Sequence, residues 1–510
     1  MHRTVRSASL QGIKALEIAV EVDVAAGLPG ITIVGLADSA IRESRDRVRA
    51  AVKNAGFSFP NRRITINLAP ADLKKEGTIL DLPIALGILA AAGDQPPTEE
   101  IRQNYLVVGE LSLDGSVKPV RGCLPIALLA RENGARGLIL PRENVAEAAV
   151  IEGIEVIGVD DLPAAVRLLN GESIPEPAPR PAAAERPNDA GELDFADVRG
   201  QQHAKRALEI AAAGGHNLLL IGPPGSGKSM LAKRLPTILP PLTFDEAVAA
   251  TIIHSVAGTL ATTGGLLACR PFRHPHHTIS DAAMVGGGNP PRPGEISLAH
   301  HGVLFLDELP EFSRPVIEML RQPLEDRRIT IARARATVTF PAAFILVAAM
   351  NPCPCGHYGD PVHPCTCSLT QIERYRQRLS GPLLDRIDLH VEVPAVPTDD
   401  LLREKTAAES SAAIRARVEK ARQRQLARFA SGNFFTNAAM GEKEIRKFCR
   451  LGEREKALLR QAISRLGLSA RAYSRILKVA RTIADLEGSP EISTGHLAEA
   501  VQFRSLDRRS

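Results

Sequence analysis

The chain has 510 residues, of which 44% are hydrophobic, 24% charged and 4% aromatic, with no tryptophan. This length exceeds what one hydrophobic core usually supports and predicts roughly two to four domains. The net charge of +5 permits an anionic partner without requiring one, and the few aromatic residues argue against a base-stacking surface for single strands. The longest apolar run, Leu82–Gly93, is shorter than the ~18 residues of a membrane-spanning helix, and the N-terminus lacks a secretory signal. We therefore expect a cytoplasmic protein without a membrane partner.

The first 170 residues carry alternating strand and helix patterns. Alternation of apolar and polar residues predicts strands at 15–27 and 63–70. An amphipathic pattern predicts a helix that begins at Ser39 and ends at Gly56. Asp114-Gly115 is typical of a two-residue turn and predicts that residues 107–120 form a hairpin. These patterns indicate a mixed α/β domain at 1–170.

Residues 171–192 contain five prolines and little apolar periodicity, which is typical of an extended linker. Beyond this linker, three segments are apolar almost throughout, as parallel strands covered on both faces should be. They lie at 217–221, 303–306 and 344–350. We expect an α/β core with a parallel sheet at 193–400 and a helical region at 401–510, in which Ile492, Leu497, Ala500 and Val501 share one helical face.

Residues 222–229, GPPGSGKS, match the phosphate-binding pattern G-x-x-x-x-G-K-[ST] between a predicted strand and a predicted helix. Glycines allow backbone N–H groups to surround phosphate oxygens, Lys228 reaches the β- and γ-phosphates, and the Ser229 hydroxyl binds Mg²⁺. The helix adds its positive end to the anion site. The predicted nucleotide-binding residues are Gly222, Pro223, Pro224, Gly225, Ser226, Gly227, Lys228 and Ser229.

Two further strands end in residues that suit ATP hydrolysis. Asp307 can order Mg²⁺ together with Ser229, and Glu308 is placed to polarise the attacking water. Asn351 ends the next apolar strand and could orient that water. The alternative is a strand that merely ends in acidic residues.

Two arginines complete the predicted catalytic set. Arg386 lies where a ring ATPase would place an arginine finger for its neighbour's γ-phosphate. Arg471, in the helical region, could reach the phosphates from above, and Arg475 is a competing candidate for that role. For each of them the alternative is a surface salt bridge.

Three other segments carry basic or histidine-rich patterns. Residues 327–340 are predicted to form a hairpin whose turn contains Arg333 and Arg335, which could grip DNA phosphates or simply be solvated. The loop with His274, His276 and His277 could bind metal, although a structural or phosphate-contacting role is more typical of His-Pro-His-His. For the basic helix at 412–429, a solvated face is the more typical interpretation.

Four cysteines are closely spaced in one loop, as C-x-C, nine residues and C-x-C. Four thiolates can form a tetrahedral site for a structural Zn²⁺, with His357 and His363 as substitute ligands. A redox-sensitive loop or a plain turn-rich loop remains open, because the C-x-C spacing is shorter than usual. The predicted zinc ligands are Cys353, Cys355, Cys365 and Cys367.

Over essentially its whole length the sequence resembles the ComM/YifB family, a magnesium-chelatase-like branch of the AAA+ ATPases. The stretches that carry this resemblance are 27–38, 197–229, 270–288, 302–312, 350–356 and 380–394. The resemblance implies a homo-hexameric ATPase that uses ATP and Mg²⁺ and has an arginine-bearing hairpin in its pore. It further implies branch migration on single-stranded and branched DNA during natural transformation.

The N-terminal domain resembles the Lon-protease fold, with both catalytic residues lost. Asp81 and Leu82 occupy the neighbourhood of the expected serine, and Leu124 stands at the expected lysine. Because a Ser–Lys dyad needs both groups, we predict no peptidase activity and a role in ring assembly or DNA passage.

Two other functions remain as alternatives. One is a chelatase-like remodeller of a protein partner, against which the N-terminal domain and the cysteine cluster argue. The other is a Lon-like protease, which the absent dyad disfavours.

Overall fold

A computed structural model of the chain describes the backbone in eleven stretches. These are 2–75, 77–93, 104–172, 193–260, 265–288, 291–333, 336–360, 363–395, 408–430, 434–467 and 469–504. The Pro-rich segment predicted as a linker lies mostly outside these residues.

The N-terminal region is α/β and contains two larger sheets. Its elements are β1 (His2–Gln11), β2 (Lys14–Ala25), β3 (Gly30–Val34), α1 (Ser39–Asn54), β4 (Arg63–Ala69), α2 (Asp81–Ala92), β5 (Tyr105–Val107), β6 (Glu110–Leu111), β7 (Val117–Lys118), α3 (Cys123–Glu132), β8 (Gly137–Pro141), α4 (Val145–Ala148), β9 (Glu155–Val159) and α5 (Leu162–Leu169). One sheet has the order β1-β2-β4-β3 and is antiparallel except for the β3–β4 pair. The other, β5-β8-β9, is parallel. The strands predicted at 15–27 and 63–70 are thus confirmed as β2 and β4.

One local prediction in this region is confirmed and another needs correction. Helix α1 begins at Ser39, as predicted, and ends at Asn54, two residues before Gly56; its N-cap is Asp38, whose side chain accepts a hydrogen bond from the Ile41 amide at 2.8 Å. The predicted hairpin exists only as the short pair β6–β7, whose connection runs over five residues, 112–116. There the Asp114 carboxylate accepts from the Ser116 amide, which favours a longer turn than Asp-Gly alone implies.

The central region is built around a five-stranded parallel sheet. Its elements are α6 (Gln202–Gly214), β10 (Leu218–Ile221), α7 (Lys228–Ile238), α8 (Phe244–Ala257), β11 (Phe272–Arg273), α9 (Asp281–Val285), β12 (Gly286–Gly287), β13 (Arg292–Pro293), α10 (Glu295–Leu298), β14 (Val303–Leu306), α11 (Arg314–Met319), α12 (Arg321–Asp326), β15 (Arg328–Arg333), β16 (Ala336–Pro341), β17 (Ile345–Met350), α13 (Leu369–Arg376), α14 (Gly381–Leu384) and β18 (Leu389–Glu392). The strand order is β11-β14-β17-β10-β18. Every residue of β10, β14 and β17 is buried, which confirms the prediction of parallel strands covered on both faces.

The C-terminal region is helical, as predicted. It comprises α15 (Ser411–Arg428), α16 (Glu442–Phe448), α17 (Glu453–Leu466), α18 (Ala470–Glu487) and α19 (Thr494–Gln502). Leu497 and Ala500 are buried on one face of α19 and Ile492 is buried just before it, in a core shared with α6, α7 and the sheet.

The basic helix α15 is not simply a solvated helix. Its residues Ile414 and Val418 enter the shared core. Its arginines are also engaged within the chain, since Arg417 pairs with Glu209 at 2.6 Å and Arg428 pairs with the buried Asp485. The basic charge of α15 therefore stabilises the junction between the helical region and the sheet.

The N-terminal region packs directly on the central region. Ile252 of α8 lies against the N-terminal core, and the Ser255 hydroxyl donates to the buried carboxylate of Glu147. The turn between β1 and β2 touches the β15–β16 hairpin, where a Cβ on Gly12 would lie 2.4 Å from Cγ1 of Val338. The two regions are thereby joined at α8 and at the hairpin.

Among the helices in the described part of the chain, none is both long and apolar enough to cross a lipid bilayer.

Candidate nucleotide-binding site

The glycine-rich loop connects the end of β10 to the start of α7, as the sequence predicts. Gly225 and Gly227 have φ angles of +75° and +92°, a region that residues with a Cβ rarely adopt. At Gly222 a Cβ would lie 2.0 Å from the carbonyl oxygen of Val393, so only glycine allows this close approach. The loop thus has the backbone conformation and the following helix N-terminus that suit a phosphate group.

Lys228 is the first residue of α7, directly after this loop. Its ammonium donates to the carbonyl oxygens of Gly222 at 2.7 Å and Pro223 at 2.8 Å, and to Oδ1 of Asn351 at 3.2 Å. Burial lowers the pKa of Lys228, while the charges of Asp307 and Glu308 oppose that shift. Lys228, predicted to bind phosphate, therefore contacts Asn351, predicted to orient water.

Ser229 and Asp307 meet on the other side of the loop. The Ser229 hydroxyl donates to Oδ2 of Asp307 at 2.6 Å. Asp307 follows β14 and Asn351 follows β17, which lies between β14 and β10, so three carboxyl ends of parallel strands form the site. A hydroxyl and a carboxylate this close form the kind of oxygen pair that Mg²⁺ uses beside nucleotide phosphates.

Glu308 stands apart from this cluster. Its φ angle is +53°, and its side chain is 55% exposed. Nδ1 of His277 lies 3.6 Å from Oε2 of Glu308. The histidine loop was predicted to bind metal or to have a structural role, and its contact with Glu308 could not be anticipated from the spacing.

Two other side chains contact this site without having been predicted to do so. Gln201 donates from its amide to the carbonyl oxygens of Ser226 at 3.4 Å and Pro394 at 2.6 Å, which ties the loop to the segment after β18. Tyr375 meets the backbone of Asn351, and burial raises its pKa to about 12. Gln201 lies in a stretch that carries the family resemblance, whereas nothing in the sequence singles out Tyr375.

Arg386 lies at the opposite edge of the sheet. Its carbonyl oxygen accepts from the side chain of Asn217 at 3.2 Å, and Asn217 directly precedes β10. Arg386 therefore lies near the start of β10, whereas the phosphate loop follows its end. The two are separated by the length of this four-residue strand, about 13 Å. The guanidinium of Arg386 pairs with Glu325 and donates to the carbonyl of Pro382 at 2.6 Å.

Arg471 and Arg475 lie at this same edge. The hydrogen bond from Arg386 lowers the pKa of Glu325, and the charges of Arg386, Arg471 and Arg475 lower it further. Arg475 pairs with Asp388, which is fully buried just before β18 and also accepts from the Asn217 amide at 3.0 Å. Arg475 is thereby engaged in a buried ion pair, whereas the exposed Arg471 remains the candidate for phosphate contact.

The predicted hairpin is present as β15 paired antiparallel with β16. Arg333 ends β15, opposite Ala336, and Arg335 lies outside the described residues. The base of the hairpin is fixed by the buried residues Ile329, Ile331 and Phe340.

The four clustered cysteines converge as predicted for a metal site. The Sγ–Sγ distances are 3.4 Å for Cys353–Cys355, 3.7 Å for Cys353–Cys365 and 3.5 Å for Cys355–Cys365. The four Sγ atoms, including that of Cys367, lie within 4.8 Å of one another. Tetrahedral Zn²⁺ with bonds of about 2.3 Å needs Sγ atoms roughly 3.8 Å apart, so the residues fit this ion.

The cysteine loop packs against the nucleotide loop. A Cβ on Gly356 would lie 2.5 Å from Cδ of Pro224. The fold of the cysteine loop is therefore coupled sterically to the phosphate-binding loop.

Three family models match successive parts of the chain. Residues 194–401 match "Magnesium chelatase, subunit ChlI", residues 20–144 match "Subunit ChlI of Mg-chelatase" and residues 408–504 match "Magnesium chelatase, subunit ChlI C-terminal". The N-terminal match thus carries a chelatase description as well, so it does not by itself argue against a chelatase-like function.

Full-length relatives are found among curated proteins. The chain is 47% identical over 506 residues to "Competence protein ComM" of Haemophilus influenzae, covering 99% of this chain and 97% of the relative. It is 47% identical over 497 residues to YifB of Escherichia coli, covering 98% and 96%. A shorter similarity, 31% over 159 residues and 28% of each chain, relates it to "Lon protease 2" of Bacillus subtilis.

Proposed function

Because the chain belongs to the ComM/YifB family of magnesium-chelatase-like AAA+ proteins, we propose that it is an ATP-dependent, ring-forming DNA motor. The contact between Ser229 and Asp307 carries the ATPase part of this proposal. It joins the phosphate loop to Asp307, the residue directly after β14, and the contact between Lys228 and Asn351 lies at the same loop. Lys228 would neutralise phosphate charge, Ser229 and Asp307 would hold Mg²⁺, and Glu308 would polarise water.

The ring part of the proposal rests on the position of Arg386 and Arg471. Both lie at the sheet edge opposite the phosphate loop of their own chain. In a head-to-tail ring, that edge can face the nucleotide of the neighbouring subunit. We propose that both arginines act on the neighbour's nucleotide in a homo-hexamer, with the pair between Arg386 and Glu325 opening when the finger engages phosphate.

The DNA part of the proposal rests on the family and on the hairpin. The Haemophilus relative is named a competence protein, and the family resemblance implies branch migration of incoming single-stranded DNA in natural transformation. The base of the β15–β16 hairpin is buried, β15 ends at Arg333, and the sequence places Arg335 two residues later. Such arginines would bind DNA phosphates without sequence specificity. A cytoplasmic motor that acts on recombining strands of any sequence needs this kind of contact.

We further propose that Cys353, Cys355, Cys365 and Cys367 bind one structural Zn²⁺. The sulfur spacing supports it, and four ligands leave no open position for catalysis. The contact between Gly356 and Pro224 implies that this ion supports the shape of the nucleotide loop.

Branch migration of synthetic junctions tests the full proposal. The protein should convert a labelled three-strand junction to products with ATP and Mg²⁺, and Glu308→Gln should bind the junction without converting it. ATP hydrolysis that is indifferent to every DNA form would instead favour the chelatase-like remodeller of a protein partner.

A further inference from the structure

The cysteine loop holds a second group of ligand-type side chains at its tip. The Nδ1 atoms of His357 and His363 lie 3.3 and 3.2 Å from the same oxygen, Oδ2 of Asp360. We propose that these three residues form a second metal site, separate from the cysteine cluster, for a divalent transition-metal ion of the Zn²⁺ class.

The spacing of the three side chains suits such an ion. Zn–N and Zn–O bonds of about 2.0–2.2 Å place two ligands of a tetrahedral ion roughly 3.3 Å apart. The three ligand atoms lie within 4.8 Å of one another, and the imidazole rings are 5.1 Å apart between centroids. Two nitrogens and one oxygen, without sulfur, suit Zn²⁺, Co²⁺ or Ni²⁺ better than Cu⁺, which prefers thiolates.

The loop holds these residues in place before any ion binds. Its two ends are brought together by the cysteine cluster, where the Sγ atoms of Cys355 and Cys365 lie 3.5 Å apart. The Asp360 side chain is only 4% exposed, whereas that of His363 is 65% exposed. A buried carboxylate faced by two imidazoles gives an ion one charged ligand and a route of entry from solvent.

Three protein ligands leave at least one coordination position for water or another ligand. Asp360 also lines a cavity of about 870 Å³ that extends to Gly222 and Pro223 at the start of the nucleotide loop. Apolar residues such as Ile221, Met350 and Leu369 form other parts of its wall. An ion at Asp360 would therefore border a space that reaches the nucleotide loop.

Two N–H···O hydrogen bonds from the histidines to Asp360 would give nitrogen–oxygen distances similar to those around a metal ion. Measurement of the metal content distinguishes the two cases. The full-length chain, purified without a polyhistidine tag, is titrated with Zn²⁺ and with Co²⁺. We expect His357→Gln/His363→Gln to bind one equivalent less than the unaltered protein. The control His2→Gln/His203→Gln removes two exposed histidines elsewhere and should lose none.

Co²⁺ absorption separates the two sites and reports on folding. The thiolate-to-Co²⁺ charge-transfer bands arise only at the cysteine cluster, so they should persist in His357→Gln/His363→Gln if the loop remains folded. They should weaken strongly in Cys365→Ser/Cys367→Ser, which removes two of the four thiolates. Equal metal content in the unaltered protein and in the folded His357→Gln/His363→Gln variant would overturn the second site.

Discussion

The imidazole of His277 lies 3.6 Å from the carboxylate of Glu308, the side chain proposed to polarise the attacking water. His277 comes from the loop after β11, and Glu308 is the second residue after β14, which ends at Leu306. An imidazole this close to the carboxylate occupies space in which a water molecule could otherwise reach Glu308. The loop continues into α9 and β12, so movement there can change how freely Glu308 acts.

We predict that His277→Ala raises hydrolysis of ATP in the absence of DNA. A half-exposed contact of this kind contributes about 0.5–1 kcal/mol, which corresponds to roughly a 2–5-fold change in rate. Steady-state phosphate release measures it, with His276→Ala as the control because His276 is exposed and pairs with no carboxylate in the described contacts. A slower basal rate in His277→Ala would show that the histidine supports Glu308 instead of restraining it.

The trans role of Arg386 predicts complementation between two inactive variants. Arg386→Ala should lower the rate about 10³-fold or more, as for other arginine fingers, and Lys228→Ala should remove hydrolysis by the altered subunit. When the two are mixed equally, about one quarter of the interfaces of a ring combine an intact loop with an intact finger. Recovery of activity in the mixture, measured as phosphate release, is the expected result. A mixture as inactive as its components would place Arg386 outside the neighbour's site.

The hairpin arginines are expected to hold DNA through phosphates. Arg333→Ala/Arg335→Ala should weaken binding to single strands of any sequence and flatten the salt dependence of the affinity. Each phosphate contact that is lost reduces the slope of log K against log salt by about 0.7 for single strands. Fluorescence anisotropy across a salt series measures this slope, with Arg415→Ala on α15 as the control. The pore-hairpin assignment fails if affinity and slope are both unchanged.

The buried His390 predicts loss of stability at acid pH. Burial, aided by the charge of Arg504, lowers its pKa to about 3, against an ordinary value near 6.5. Between these values the unfolded chain binds a proton that the folded chain does not, so the free energy of unfolding decreases as pH falls below about 6.5. For one such histidine the loss between pH 7.5 and pH 5 is about 2 kcal/mol.

We therefore expect His390→Gln to be less sensitive to acid than the unaltered protein, although less stable at pH 7.5. Thermal unfolding of both proteins from pH 7.5 to pH 5 measures the difference, and His2→Gln serves as an exposed control. Parallel pH profiles for His390→Gln and the unaltered protein would contradict the prediction.

The phosphate loop was predictable from the sequence because its geometry is local. Gly222 to Ser229 are consecutive, and the pattern itself specifies the strand before them and the helix after them. The meeting of Ser229 with Asp307 could also be inferred, because parallel strands place their carboxyl ends at one edge of a sheet.

Other relationships depend on packing that no local pattern records. The pairs Arg386–Glu325 and Arg475–Asp388 join segments separated by 61 and 87 positions. The tip of the cysteine loop was interpreted only as a source of substitute ligands, since its spacing does not show that His357 and His363 turn toward Asp360.

The most direct test of the DNA-motor proposal is ATP hydrolysis by the purified chain, with and without single-stranded and branched DNA, beside a Lys228→Ala variant. If the chain is a DNA motor, DNA should stimulate hydrolysis, and both the basal and the stimulated rates should vanish in Lys228→Ala. Hydrolysis that depends on Lys228 but is unaffected by any DNA would contradict the motor and leave an ATPase that acts on a protein partner.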